Sequence, residues 1–151
     1  MTEPTQTTTT AAGLLRRLIA MVYDTFLLIA LFALVSLPIV LALGKDHPIN
    51  ENWLVLLSYR LVLLLTAYLF FGWFWTHGGQ TLGMRAWRLQ TLNHDGSPMD
   101  WISSGKRFLA VLLSWASLGL GYLWMLIDRD KLTWHDRLSG TRVVLLPKKT
   151  S

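Results

Sequence analysis

Four charged side chains hold most of the chemistry available in this sequence: Arg17, Asp24, Arg60 and Asp136. Arg17 and Asp24 are seven positions apart, two helical turns, so they share one face of a helix. Their axial offset of about 10 Å keeps them out of direct reach. Asp24 lies roughly 10 Å inside an apolar run, where an ionised carboxylate costs about 2.5 to 3.5 kcal/mol. It must therefore face protein or water, and a carboxylate at that depth can take a proton or a cation. Arg60 interrupts the next apolar run and is the natural partner for Asp24, because antiparallel helices bring the two to similar depth. An Asp24–Arg60 pair would relieve the insertion cost of both. Such a pair either glues two helices together or tunes a transport carboxylate, and the residues alone leave both readings open. Arg17 is either an interfacial anchor or a second tuning charge.

Near the end of the chain stands Trp134-His135-Asp136-Arg137-Leu138-Ser139-Gly140-Thr141. An aspartate flanked by His135 and Arg137 can accept several charge-assisted hydrogen bonds and hold a turn rigid. It does not read as a catalytic pair, since adjacent side chains rarely face each other and no nucleophile is marked. The chain has no cysteine, which removes disulfides, thiolate metal sites and cysteine nucleophiles. Its histidines lack metal-ligand spacing. Gly78-Gly79-Gln80-Thr81-Leu82-Gly83 is glycine-rich but is no phosphate loop, for Met84 stands where lysine is needed and no Ser or Thr follows. No catalytic residue, metal or cofactor is predicted, and an enzyme is the least supported class.

The elements that must position these charges follow from composition. Of 151 residues, 52% are hydrophobic and 15% charged, against about 25% charged in a soluble domain. The mean hydropathy is +0.39. These values exclude a disordered chain and a nucleic-acid-binding arm, and point to an all-α integral membrane protein of one domain. The net charge of +5 reads as topology, because Lys and Arg concentrate in cytoplasmic loops.

Residues 1–13 read as a disordered polar tail. The first apolar run predicts a membrane-crossing helix over about 16–43, with Pro38 favouring a kink near its outer end. Ala42-Leu43-Gly44 has cleavage-like spacing, but the run is too long for a signal peptide and contains Asp24. After a polar stretch over 45–52, a second crossing is predicted over 53–76, with Trp53, Trp73 and Trp75 placed as interfacial aromatics. A loop spans 77–106. In it Arg85 to Leu92 is strand-like, Asn93 to Gly96 is a turn, and Ser97-Pro98 suggests a helix start.

The third apolar segment, about 107–127, is long enough for one crossing. A single crossing would separate Arg85, Arg88, Lys106 and Arg107 from Arg129, Lys131, Arg137, Arg142, Lys148 and Lys149. A re-entrant hairpin turning at Ser114 to Gly121, shielded by protein, would keep both basic clusters on one side with Arg16 and Arg17. Both alternatives stand. Thr141 to Leu146 is strand-like and is predicted to pair with Arg85 to Leu92 in a small cytoplasmic sheet. The closing block covers 128–146, and 147–151 is a basic tail. The main domain is thus 14–146.

Three blocks together resemble the RDD family of bacterial membrane proteins, named for one arginine and two aspartates. Arg17 to Asp24 resembles its Arg-x-x-Ala-x-x-x-Asp opening, and Gly79 to Arg85 its Gly-x-Thr-x-Gly-Lys/Met-Arg loop. His135 to Val144 resembles its closing His-Asp-Arg-Leu-Ala/Ser-Gly-Thr block. The resemblance implies that the name residues are Arg17, Asp24 and Asp136, with His135, Arg137, Gly79, Thr81 and Gly83 as secondary positions. It implies a multi-pass protein of the bacterial inner membrane, and the basic clusters predict a cytoplasmic N-terminus and C-terminus.

Two functions from different classes fit. One is transport of an unidentified small ligand or cation, by an oligomer or accessory subunit, with Asp24 as the intramembrane carboxylate. The alternative is a scaffold for membrane-protein assembly or interaction. Expected partners are the lipid bilayer and either further copies of the chain or another membrane protein, and not nucleic acid.

Overall fold

The computed structural model describes residues 10–43 and 52–147. Strand β1 (Thr10–Ala11) leads into helix α1 (Leu14–Leu43), and helix α2 (Trp53–Thr76) follows. Both helices are long and apolar enough to cross a membrane. Their outward side chains are exposed on the protein itself, as Phe26, Leu34, Leu61 and Leu65 illustrate. Leucine, valine and phenylalanine hold these helices in lipid because the backbone satisfies its own hydrogen bonds and apolar side chains need no water. α1 continues unbroken past Pro38. In the outer half, Ser36 and Tyr59 share a hydrogen bond of 2.8 Å between the two helices. The polar stretch predicted over 45–52 lies, apart from Asn52, outside the described residues, as does the basic tail beyond Pro147.

Short elements crowd one end of the helix pair. Helix α3 (Leu82–Ala86) is capped by Thr81, whose hydroxyl accepts from the Met84 N–H. Strand β2 (Leu89–Asn93) follows. Arg85 and Ala86 therefore belong to a helix and not to the strand predicted over 85–92. The Thr81 cap starts the helix, and Arg88 at φ 56° turns the chain sharply into β2. Helix α4 (Trp101–Ala116) is capped by Asp100, whose carboxylate accepts from the Ser103 N–H at 2.8 Å. The helix start predicted at Ser97-Pro98 is thus displaced, because Asp95 holds both the N–H and hydroxyl of Ser97 in a local turn.

The third apolar segment consists of α4 and helix α5 (Leu120–Leu123), which runs on into a 3-10 turn over Trp124–Leu126. The two arms bend by 107°. Leu118 and Gly119 at the break both have positive φ. Ser114 and Gly121 then come so close that a Cβ on Gly121 would lie 2.2 Å from the Ser114 hydroxyl. Small residues at this point allow the arms to meet. Helix α6 (Trp134–Ser139) and strand β3 (Thr141–Leu145) complete the chain.

The sheet order is β1-β3-β2, with β3 antiparallel to both neighbours. Gln90 faces Val144 and Thr91 faces Val143 in the register. The expected two-strand pairing is present, and the sheet gains a third strand from Thr10–Ala11, inside the stretch predicted as disordered tail. Because β2 precedes the bent segment and β3 follows it, their pairing requires that segment to return to the side it left. The folded-back alternative is the one the chain adopts. The sheet and α3 pack on the base of α1 through Ala12, Ala20, Met84, Leu89 and Val143. A second cluster, Ala67, Trp75, Met99 and Phe108, joins α2 to α4.

Candidate functional site

Asp136 is fully buried and sits where three helices meet. One carboxylate oxygen accepts from Arg17 Nη1 at 2.5 Å, and the other from Arg107 Nη1 at 2.6 Å. The same aspartate caps its own helix, accepting from the Thr133 N–H while the Thr133 hydroxyl accepts from the Asp136 N–H. One carboxylate thus ties α1, α4 and α6 together. Burial works against its ionised form, but Arg107 and Arg17 outweigh burial and hold the carboxyl well below the usual range.

The two arginines are fixed from behind. Arg17 Nε donates to the Ala12 carbonyl at 3.1 Å and Nη2 to the Val143 carbonyl at 3.3 Å, so it also reaches the strands. Arg107 Nη1 donates to the Thr141 hydroxyl at 2.6 Å, and its guanidinium lies 5.3 Å from the Trp75 ring centre. A planar fork with five donors suits this multiple role; a lysine would reach only part of it.

Asp24 has different partners. Its carboxylate accepts from the Thr81 hydroxyl and, at 2.9 Å, from the Gly83 N–H. The first turn of α3 therefore docks on the side of α1. Gly83 is required by this approach, since a Cβ there would lie 2.2 Å from the Ala20 carbonyl oxygen. Gly79, at φ 71°, turns the loop so closely over the sheet that a Cβ would meet the Thr91 carbonyl oxygen at 2.4 Å. Met84 is buried in the apolar cluster beside Ala20, consistent with an uncharged residue at that place.

Asp24 does not pair with Arg60, as the sequence suggested. The α3 turn occupies both oxygens of the carboxylate, about 15 Å along α1, whereas Arg60 lies roughly 24 Å before the end of α2 at 1.5 Å per residue. Arg137, expected to support Asp136, instead holds Asp128 at 2.6 Å and Asp130 at 3.1 Å. His135 is buried against Tyr122, with ring centres 4.6 Å apart. Burial, reinforced by Arg107, pushes its pKa down to about 3, so it is neutral at physiological pH.

Sequence reasoning missed Arg107, which it counted only as a basic loop residue. Thr133 and Thr141 were missed as partners too. A signal was present: Arg107 opens an apolar run, yet a lone arginine there reads equally well as an interfacial charge. Among the described residues, no group of three or more His, Asp or Glu side chains is placed to hold a metal ion.

Arg17, Asp24, Arg60 and Arg107 all line one cavity of about 610 Å³ between α1, α2 and α4. Arg17 and Arg107, the two arginines that bind Asp136, are part of its lining. A sequence model of the RDD family matches residues 11–140 of the chain. No curated protein and no solved structure matches it.

Proposed function

We propose that this chain, which belongs to the RDD family, is a membrane assembly or interaction module in which the family's charges clamp a polar platform onto the membrane helices. The observation that carries this reading is Asp136 bound by Arg17 and Arg107, one from α1 and one from α4. Asp24 supports it, since both of its oxygens are engaged by the α3 turn. In this reading the clamps make a rigid surface from α3, the sheet and α6, and that surface docks another membrane protein or a second copy of the chain.

We place the platform on the cytoplasmic side of a bacterial inner membrane. Arg16, Arg85, Arg88 and Arg129 all belong to segments that meet at the sheet end, and basic residues resist translocation. Transport of a small ligand or cation is the second reading. The cavity lined by Asp24 favours it, and an oligomer would then complete the pathway.

The two readings separate in one experiment. Wild type and Asp24→Asn are compared for abundance and complex size in membranes, and for Na⁺ and H⁺ flux in proteoliposomes. The assembly reading expects altered abundance or complex size with equal flux. A wild-type flux that Asp24→Asn abolishes at unchanged abundance would replace it with transport.

A further inference from the structure

The cavity between α1, α2 and α4 has the volume of a small-molecule site. Phe32, Leu64, Phe71, Val111 and Leu112 are among its walls, a surface suited to a hydrocarbon chain. The charged residues of its lining are Arg17, Asp24, Arg60 and Arg107. Arg17 and Arg107 bind Asp136, and Asp24 supplies a second carboxylate. Arg60 is left over, for the ion pairs among the described residues give it no carboxylate. Tyr122 and His135 also line the cavity, but both are neutral at physiological pH and offset nothing. Three arginines against two aspartates leave an excess of one positive charge.

Position decides where that charge is met. Arg60 lies inside the second crossing, where an unpaired guanidinium is costly. It is exposed, whereas Arg17, Asp24 and Arg107 are buried. The cavity is thus open at Arg60 and closed at Arg107. An oxyanion at the closed end would meet the charges of Asp24 and Asp136. At the open end it would meet a cation that no carboxylate neutralises. Phe71 stands further into the cavity, roughly 16 Å along α2 from Arg60 at 1.5 Å per residue. That stretch suits the extended hydrocarbon of one long-chain amphiphile.

We propose that this cavity binds one single-chain anionic amphiphile, with its oxyanion on Arg60 and its chain between α1, α2 and α4. The shared chemistry is an anionic oxygen head on one long alkyl chain. A fatty-acid carboxylate and a single-chain phosphate monoester both carry it. The inference holds whether the chain assembles or transports, because it concerns occupancy of the cavity alone.

The test is equilibrium binding to the purified full-length protein in mild uncharged detergent, read by native mass spectrometry. The probes are palmitate, palmitoyl lysophosphatidate and monopalmitin, which share a chain and differ in the head. At least one of the two anions is expected to bind at one per chain, about tenfold or more tighter than monopalmitin, as one charge-assisted contact allows. Which anion binds more tightly distinguishes the two sources. Arg60→Gln should bring the anion to the monopalmitin level without changing monopalmitin, and Arg60→Lys should restore part of the difference. Arg85→Gln removes an equal charge from the platform, outside the cavity, and should change nothing. Val111→Trp fills the cavity and should abolish binding of every probe. Thermal melting confirms that each variant is folded. Monopalmitin binding as tightly as both anions overturns the proposal, as does failure of both anions to bind. Wild-type anion affinity in folded Arg60→Gln or Val111→Trp overturns it as well.

Discussion

Arg17 and Asp136 are 119 positions apart and meet as a buried ion pair at 2.5 Å. The pair joins the first turns of α1 to α6, while Arg107 brings α4 to the same carboxylate. Two cations on one anion, all inside the protein, make the carboxylate the least replaceable group in the cluster.

Asp136→Asn should therefore destabilise the fold most. It leaves two buried guanidinium groups without a counter-charge, and breaking a buried pair costs about 3 to 5 kcal/mol. Arg17→Lys should cost less, since it keeps one charge near Asp136 but loses the donors to Ala12 and Val143. Thermal melting in detergent checks the order; equal melting temperatures for wild type and Asp136→Asn would refute the clamp.

Glycine substitutions should divide sharply by position. Gly83→Ala drives a methyl into the Ala20 carbonyl and should separate α3 from α1, with a loss of at least about 1 to 3 kcal/mol. Gly105 lies inside α4 with its nearest neighbour atom 3.6 Å from a built Cβ. Gly105→Ala should be neutral or stabilising by up to about 1 kcal/mol. Protease resistance of the two purified variants distinguishes them.

His135 should make stability fall with acid. Its pKa lies near 3 in the fold and 6.5 as a free side chain, so between those values the unfolded chain binds the extra proton. Stability should drop by up to about 1.4 kcal/mol per pH unit as pH falls below 6.5. Asp136 is shifted in the same direction, its carboxylate pKa also lowered. Its contribution is intact from pH 7 to pH 5 and is lost as pH falls further, through the ordinary carboxylate pKa. Melting curves from pH 7 to pH 5 should slope in wild type and flatten in His135→Gln. An unchanged slope in the variant would assign the acid sensitivity elsewhere.

Topology can be read without background, because the chain has no native cysteine. Single cysteines at Asp95 and Arg129 flank the bent segment. Both should react with an impermeant maleimide from the cytoplasmic side only. Labelling of the two from opposite sides would contradict the shared sheet.

The sequence identified the two crossings, the weak point at Ser114 to Gly121 and the strand partners, because each is a local pattern. Apolar length, small residues and β-branched runs act over a few neighbouring positions. Met84 stands where a phosphate loop would need lysine, and its burial beside Ala20 explains why an apolar residue suits that place.

Which charge meets which was not legible in the same way. Arg60 looked the natural partner of Asp24 when only helix depth was counted, and Arg137 the natural support of Asp136 when only sequence adjacency was counted. The α3 turn, held against α1 by Gly83, gives Asp24 its partners. The fold-back at Leu118 and Gly119 returns the chain to the sheet, where Asp136 meets Arg17 and Arg107. Sequence by itself determined that the chain is a membrane-spanning member of its family with a few costly charges. Tertiary structure alone decided their pairing, because these contacts depend on distances of a few ångströms between segments 29 to 119 positions apart.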